Sequence, residues 1–308
     1  MPDLPNLANL DYVGRINRAI DYVTGNLAEP LPLEEVARAA GFSPFHFHRI
    51  FRSLMGETLA SFVKRVRLER SVHMLSYRGG TSLTEIALAC GFSSSSDFSR
   101  SFRAQYGLPP SRLDAETLRR PRREAMLRSV TPPGDRHRLE SLPAGENPDG
   151  FEIRLRDLPA RRVAYVRVTR AYEGGVSRAA ARLVAWAEAR GLADGQWLGY
   201  QWDDPEITPP DKCRYDVGIE VPGGTLGEGD VSVTDFSPMR VAELEIAGPI
   251  DLELRALHWI YLAWLPRSGY APAHQPMFEA WNGRPFAHGM EHFELRVQLA
   301  VVDARAPL

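Results

Sequence analysis

The chain has 308 residues, 44% of them apolar, and a formal net charge of −2, enough for a packed core and, at roughly 100–200 residues per domain, for two domains. Its two cysteines, Cys90 and Cys213, cannot build a disulfide framework and match no metal-ligand spacing, which suits a reducing compartment. With no signal pattern and no window near the ~18 apolar residues of a membrane span, the expectation is a cytoplasmic protein with no membrane partner.

The charge is unevenly spread. Residues 1–138 carry 20 Lys+Arg against 14 Asp+Glu, whereas 139–308 carry 17 against 25. A basic first half beside an acidic second half suggests that only the first faces a polyanion.

In chain order, Tyr12, Ile16, Ala19, Ile20, Val23 and Leu27, then Leu33, Val36 and Ala37, keep the i, i+3/i+4 spacing of amphipathic helices. LEEVARAAGFS (33–43) recurs as LTEIALACGFS (83–93), and FHRIFRSLMG (47–56) recurs as FSRSFRAQYG (98–107). Each copy reads as a short helix, a Gly-Phe-Ser turn in which Gly41 or Gly91 takes φ > 0, and a second helix capped by Ser, the grammar of a helix-turn-helix. Val36, Ala37, Ala40, Phe42, Ile50 and Phe51 are the expected first core; Ile86, Ala87, Cys90, Phe92 and Phe102 are the second. Leu59–Tyr77 reads as a connecting helix of about 28 Å, able to hold two reading helices about one duplex turn apart, roughly 34 Å.

These motifs, with the closing GLPPSRL (107–113), resemble the AraC/XylS family of transcription regulators over residues 8–114. The resemblance implies that Phe45, His48 and Arg49 face DNA from the first reading helix and Ser95, Ser96, Asp97 and Arg100 from the second. The arginines also suit the role physically, since a guanidinium pairs with guanine O6/N7 or grips a phosphate. The family commonly places larger polar readers where Ser95 and Ser96 stand. His46 and His48, two apart on a helix, point to different sides and make no metal pair. Lys64, Arg65 and Arg67 on the connecting helix read as a solvated charged face.

Residues 117–150, rich in Arg, Pro and Gly, read as a linker. Beyond them, alternating runs at Arg162–Thr169, Tyr215–Val221 and His292–Val301 read as strands. RVAYVRV (162–168) and RVAELEI (240–246), RYDVGIEV (214–221) and HFELRVQL (292–299), share an offset of 78, which predicts two copies of a strand-helix-strand-strand unit. The expected fold class is multidomain: an all-α double helix-turn-helix domain at 8–116, then an α+β domain of duplicated units at 151–304.

All six tryptophans, Trp186, Trp197, Trp202, Trp259, Trp264 and Trp281, lie in this acidic half. Aromatic faces beside a carboxylate make a receptor for an organic cation; Trp186 and Trp264 fit plain core packing. PARRVAYVRVTRAYEGG (159–175), DDPEITPPDKCRYDVGIEV (203–221) and SGYAPAHQPMFEAWNG (268–283) resemble the GyrI-like effector-binding domain. That resemblance implies a cavity carboxylate for a lipophilic or cationic organic ligand, from Glu294 or Glu279, with Tyr200, Trp202 and Tyr215 facing it. FELRVQLAV (293–301) lacks the family's usual proline-containing strand end.

The two resemblances together imply a regulator that binds double-stranded promoter DNA and a small organic effector, with RNA polymerase as a further contact and either a monomer or a dimer sufficing. Two other readings of the second half stay open: a hydrolase of reactive small molecules, in which a Glu beside a Tyr activates water, and a protein-interaction module. With no phosphate loop, nucleophile elbow or metal cluster in the sequence, no cofactor, metal or catalytic residue is expected.

Overall fold

The computed structural model describes residues 7–130, 147–171, 174–287, 289 and 292–306. Six helices build the first region: α1 (Leu7–Gly25), α2 (Leu33–Ala39), α3 (Pro44–Met55), α4 (Leu59–Tyr77), α5 (Leu83–Ala89) and α6 (Ser95–Tyr106). Ser43 caps α3 by accepting from the His46 amide and Ser94 caps α6 by accepting from the Asp97 amide, each satisfying a donor that the first helical turn leaves free.

The connecting helix α4 serves two cores. Leu59, Phe62, Val63 and Val66 close the first around Val36, Ala37, Phe47 and Phe51; Leu68, Val72 and Met74 close the second around Ile86, Ala87, Phe98 and Phe102. Its polar residues are spoken for as well. Lys64 is exposed, but Arg65 is buried between Glu57 and Glu69, and Arg67 donates to the carbonyls of Leu27 and Glu29, clamping the turn before α2. The expectation of one solvated charged face therefore holds for Lys64 alone.

The stretch expected to be linker begins as a helix, α7 (Ala115–Val130). Its Arg119 reaches Asp204 at 3.2 Å and its Arg123 reaches Glu206 at 2.6 Å, so carboxylates far along the chain hold a segment that has no apolar period of its own. Residues 131–146 of that stretch lie outside the described residues.

The second region is a nine-stranded antiparallel sheet: β1 (Arg154–Leu158), β2 (Arg161–Thr169), β3 (Trp197–Gln201), β4 (Arg214–Glu220), β5 (Val231–Phe236), β6 (Met239–Gly248), β7 (Tyr270–Pro272), β8 (Met277–Trp281) and β9 (Phe293–Asp303). The strands run in the order β1-β6-β9-β8-β3-β4-β2-β5, with β7 paired to β9. Helices α8 (Val176–Glu188) and α9 (Ile250–Trp259) cover one face, α9 continuing through a π-helical turn at Ile260–Trp264 into the short α10 (Leu265–Ser268). The core under these helices holds Trp186, Trp197, Val217, Leu295 and Val297.

The opposite face carries a second cluster of Tyr165, Leu198, Tyr200, Phe236 and Phe278, and it packs on α1. There the Tyr165 hydroxyl donates to Asp21 at 2.5 Å, Arg167 pairs with both Asp21 and Asp216, and Asn17 donates to the Ser232 hydroxyl. The helical region thus covers the face that α8 and α9 leave open.

Candidate functional site

The two Ser-capped helices present the side chains expected to meet DNA. On α3, Phe45, His48 and Arg49 are exposed, while Phe47 and Phe51 are buried beneath them. Phe45 is 76% exposed with the Arg49 guanidinium 5.9 Å from its ring centre. No packing explains an aromatic side chain so placed, whereas a partner surface would. On α6, Ser96 and Arg100 are exposed and Ser95 and Asp97 half-buried, above buried Phe98 and Phe102. The outward arc extends to Arg52 on α3 and Arg103 on α6. His46 is exposed as well, with its ring edge-on to Phe42 and Tyr12.

The five residues expected around a ligand do not form one group, because successive side chains along a strand point to opposite faces. Glu279 and Tyr215 meet on the helix-covered face, where the Tyr215 hydroxyl donates to the Glu279 carboxylate. Gly199 lies between them: a Cβ there would stand 1.8 Å from the Tyr215 hydroxyl and 2.7 Å from Glu279 Oε2, so only glycine permits that contact. Tyr200, the next residue, points the other way into the aromatic cluster over α1. Trp202 also lies on that side, donating its indole N–H to Asp216. Glu294 alternates out of the core between buried Phe293 and Leu295; its side chain is 38% exposed beside His292. The structure therefore separates Glu294, Tyr200 and Trp202 from the Glu279–Tyr215 pair.

A partner that the sequence reading missed completes that pair. Glu253 of α9 is buried and hydrogen-bonded to Glu279. Burial drives both carboxyls above their ordinary range, and for Glu253 the charge of Glu279 pushes further in the same direction. Two carboxyls in such contact hold a proton between them. Glu253 was legible as a carboxylate on the stripe that carries buried Ala256 and Ile260, at the i, i+3, i+7 spacing of a core-facing helix face. Because the folded state raises the Glu279 pKa, its favourable contribution is complete at low pH and is lost as pH rises. Glu279→Gln should therefore gain melting temperature relative to the native chain as pH rises above the ordinary carboxylate range; a difference that stays flat with pH would show that the fold does not hold the Glu279 carboxyl protonated.

Between the two regions lies a cavity of about 310 Å³. Its walls come from α4 (Glu69, Arg70, His73), α7 (Arg119, Arg123), α9 (Leu254, Leu257) and the segment after β3 (Trp202, Asp203, Asp204). Gln201 joins it to the buried pair, since it lines the cavity and hydrogen-bonds Glu279. The histidines lining it are uncharged at neutral pH: burial lowers His73, His258 and His274 each to about 4. Among the described residues no group of three or more His, Cys, Asp or Glu is arranged to hold a metal ion, and no helix is long and apolar enough to cross a membrane.

Residues 36–116 match the family described as a helix-turn-helix domain and residues 151–300 the family described as a GyrI-like small molecule binding domain. Over 99 residues the chain is 32% identical to an uncharacterized HTH-type transcriptional regulator, YbfP, of Bacillus subtilis, covering 32% of this chain and 33% of that protein. It is likewise 32% identical over 101 residues to the right origin-binding protein of Escherichia coli, covering 33% of this chain and 35% of that protein. The chain thus spans about a third of the length of these relatives. Among solved structures it is similar to an AraC-type DNA-binding regulator of Chromobacterium violaceum, at 29% identity and a TM-score of 0.30, over 32% of this chain and 86% of that one. By both family matches, the chain joins an AraC-type helix-turn-helix domain to a GyrI-like small-molecule-binding domain.

Proposed function

We propose that this chain is a sequence-specific DNA-binding transcription regulator that responds to a small organic ligand held by its C-terminal domain. The observation that carries the reading is the pair of capped helices, α3 and α6, each burying two phenylalanines while turning an arginine outward. One chain carries both reading helices, so a monomer suffices for a bipartite site in this reading; RNA polymerase is the natural further contact of a promoter-bound protein. Domain limits of 8–116 and 151–304 with a linker at 117–150 belong to the same proposal.

We also read the C-terminal domain as a duplication. The exchange of β1 with β5, β2 with β6, β3 with β8 and β4 with β9 maps the sheet order onto its own reverse, which supports two copies meeting where β3 pairs with β8. The domain's role is to retain its ligand rather than to turn it over, a reading supported by the relatives named as transcriptional regulators.

Selection of the purified chain on a pool of random duplexes, with and without a panel of lipophilic cations, tests the proposal. A bipartite site with halves about one turn apart is expected. Arg49→Ala and Arg100→Ala should each weaken binding to it by about 1–3 kcal/mol and relax sequence preference in their own half only. An equal loss on all duplexes would assign the arginine to phosphate rather than base. Failure to enrich any sequence would overturn the regulator reading; chemical conversion of a panel compound would restore the hydrolase.

A further inference from the structure

The cavity between the domains is lined by four carboxylates and four guanidiniums, but the two signs are not equally satisfied. Every carboxylate is taken: Glu69 by Arg65 at 3.1 Å, Asp203 by Arg214 at 2.7 Å, Asp204 by Arg119 at 3.2 Å and Glu206 by Arg123 at 2.6 Å. Two of the lining arginines, Arg119 and Arg123, are used in those pairs. The other two are not. Among the described residues Arg78 donates only to a neutral acceptor, the Ala306 carbonyl, at 2.9 Å, and Arg70 has neither a carboxylate nor a hydrogen-bond partner.

Arg70 is half-buried on α4. Burial lowers its pKa and the charge of Arg78 acts in the same direction. Among the described residues no anion offsets the two cations. Cys90, the other group near Arg70, is a thiol that burial pushes up to about 12, and His73 and His274 are neutral rings. A guanidinium partly withdrawn from water and without an anion is less stable than a paired one, and a planar carboxylate satisfies it with two parallel N–H···O bonds. Met74, Leu254, Leu257 and Val302 give the same cavity apolar walls.

We propose that the interdomain cavity binds an amphipathic organic carboxylate, with its carboxylate on Arg70 and Arg78 and its apolar body against α9 and the β9 end. The proposal rests on the small-molecule-binding reading above and departs from the organic-cation expectation. It places the ligand's charged end on the connecting helix of the DNA-binding domain itself, so that binding acts on α4 directly.

Isothermal titration of the full-length chain with 4-phenylbutyrate, its amide and 4-phenylbutylammonium tests it. The carboxylate should bind about tenfold or more tighter than the amide, consistent with one charge-assisted pair. Arg70→Gln should bring it down to the amide's affinity, Arg70→Lys should retain an intermediate value, and Arg78→Gln should cost less than Arg70→Gln. Unchanged melting temperature and unchanged DNA affinity without ligand establish that the variants are folded. Equal binding of carboxylate and amide, an unaffected Arg70→Gln, the ammonium binding tightest, or no binding by any of the three overturns the proposal. If the amide or the ammonium binds irrespective of Arg70, the small-molecule reading survives and the anion site falls; if these probes and the cation panel all fail, both fall. A shallower salt dependence of DNA binding in Arg70→Gln would assign Arg70 to a DNA phosphate and also overturn the proposal.

Discussion

Gly91→Ala should lower stability by about 3–5 kcal/mol, whereas the equivalent change in the first repeat, Gly41→Ala, should cost only about 1–2 kcal/mol. Both glycines hold left-handed backbone in the turn of a helix-turn-helix, at φ 83° and 68°, a conformation that penalises any side chain. They differ in what a methyl group would strike. At Gly41 it would come 3.1 Å from the end of the Arg15 side chain, which can swing aside. At Gly91 it would come 2.4 Å from the backbone carbonyl of Leu27 and 2.7 Å from Arg67 Nε. That carbonyl is fixed, because Arg67 donates to it at 3.0 Å and to Glu29 at 2.7 Å.

The second turn therefore docks on the loop that opens the first, and a methyl at 91 wedges the two reading heads apart. Thermal unfolding followed by far-UV circular dichroism should show a drop of about 10 °C for Gly91→Ala and a few degrees for Gly41→Ala, with bipartite DNA binding lost only in the former. Equal effects would mean that backbone conformation alone sets the cost and that the Leu27 contact contributes nothing.

Much of the helical region was legible because its signals are local. The period-3.6 stripes, the Ser caps and the Gly-Phe-Ser turns each lie within a dozen residues, and the cores they predict are the cores seen, with Ile50 the one member left half-buried. The sheet was legible as strands but not as faces. Glu279 and Glu294 sit fifteen positions apart on neighbouring strands, and only the register, Glu279 opposite Val297 and Trp281 opposite Leu295, turns one carboxylate inward and the other out. The interface between domains left no pattern at all. Asp21 looks like an ordinary surface charge in the sequence, because what buries it, Tyr165 and Arg167, arrives from more than 140 residues away. Arg65 was read as solvated for the same reason: its partners Glu57 and Glu69 are near in sequence, but the cover over them includes Asp203.

Asp203→Ala should be the more damaging substitution at the joint itself, by about 3–5 kcal/mol, the usual cost of stranding a buried charge. The Asp203 carboxylate, 1% exposed, accepts from the Arg214 backbone amide at 2.9 Å and from its guanidinium at 2.7 and 2.8 Å, and it stands 3.7 Å from Arg65. Arg214 and Arg65 each lie about 5 Å from the ring of Phe62, in the core of the first helix-turn-helix. Arg65 in turn holds Glu57, which directly follows Gly56, the C-cap of the first reading helix. A single carboxylate thus links the segment lining the interdomain cavity to the end of α3. Burial alone would raise the Asp203 pKa, but the Arg214 charge and hydrogen bonds, with Arg65, outweigh it and leave the group below its ordinary value. Its stabilising effect is therefore present above the unfolded-state pKa and lost as pH falls through the folded one. Asp203→Asn retains acceptors for part of this network and should lose less stability than Asp203→Ala, while losing that acid dependence. Chemical denaturation of both variants across pH checks the order. Should Asp203→Ala unfold like the native chain, the domains would be joined chiefly through α1 and the Tyr165–Asp21–Arg167 cluster, and ligand occupancy would have to reach the DNA-binding helices by that route instead.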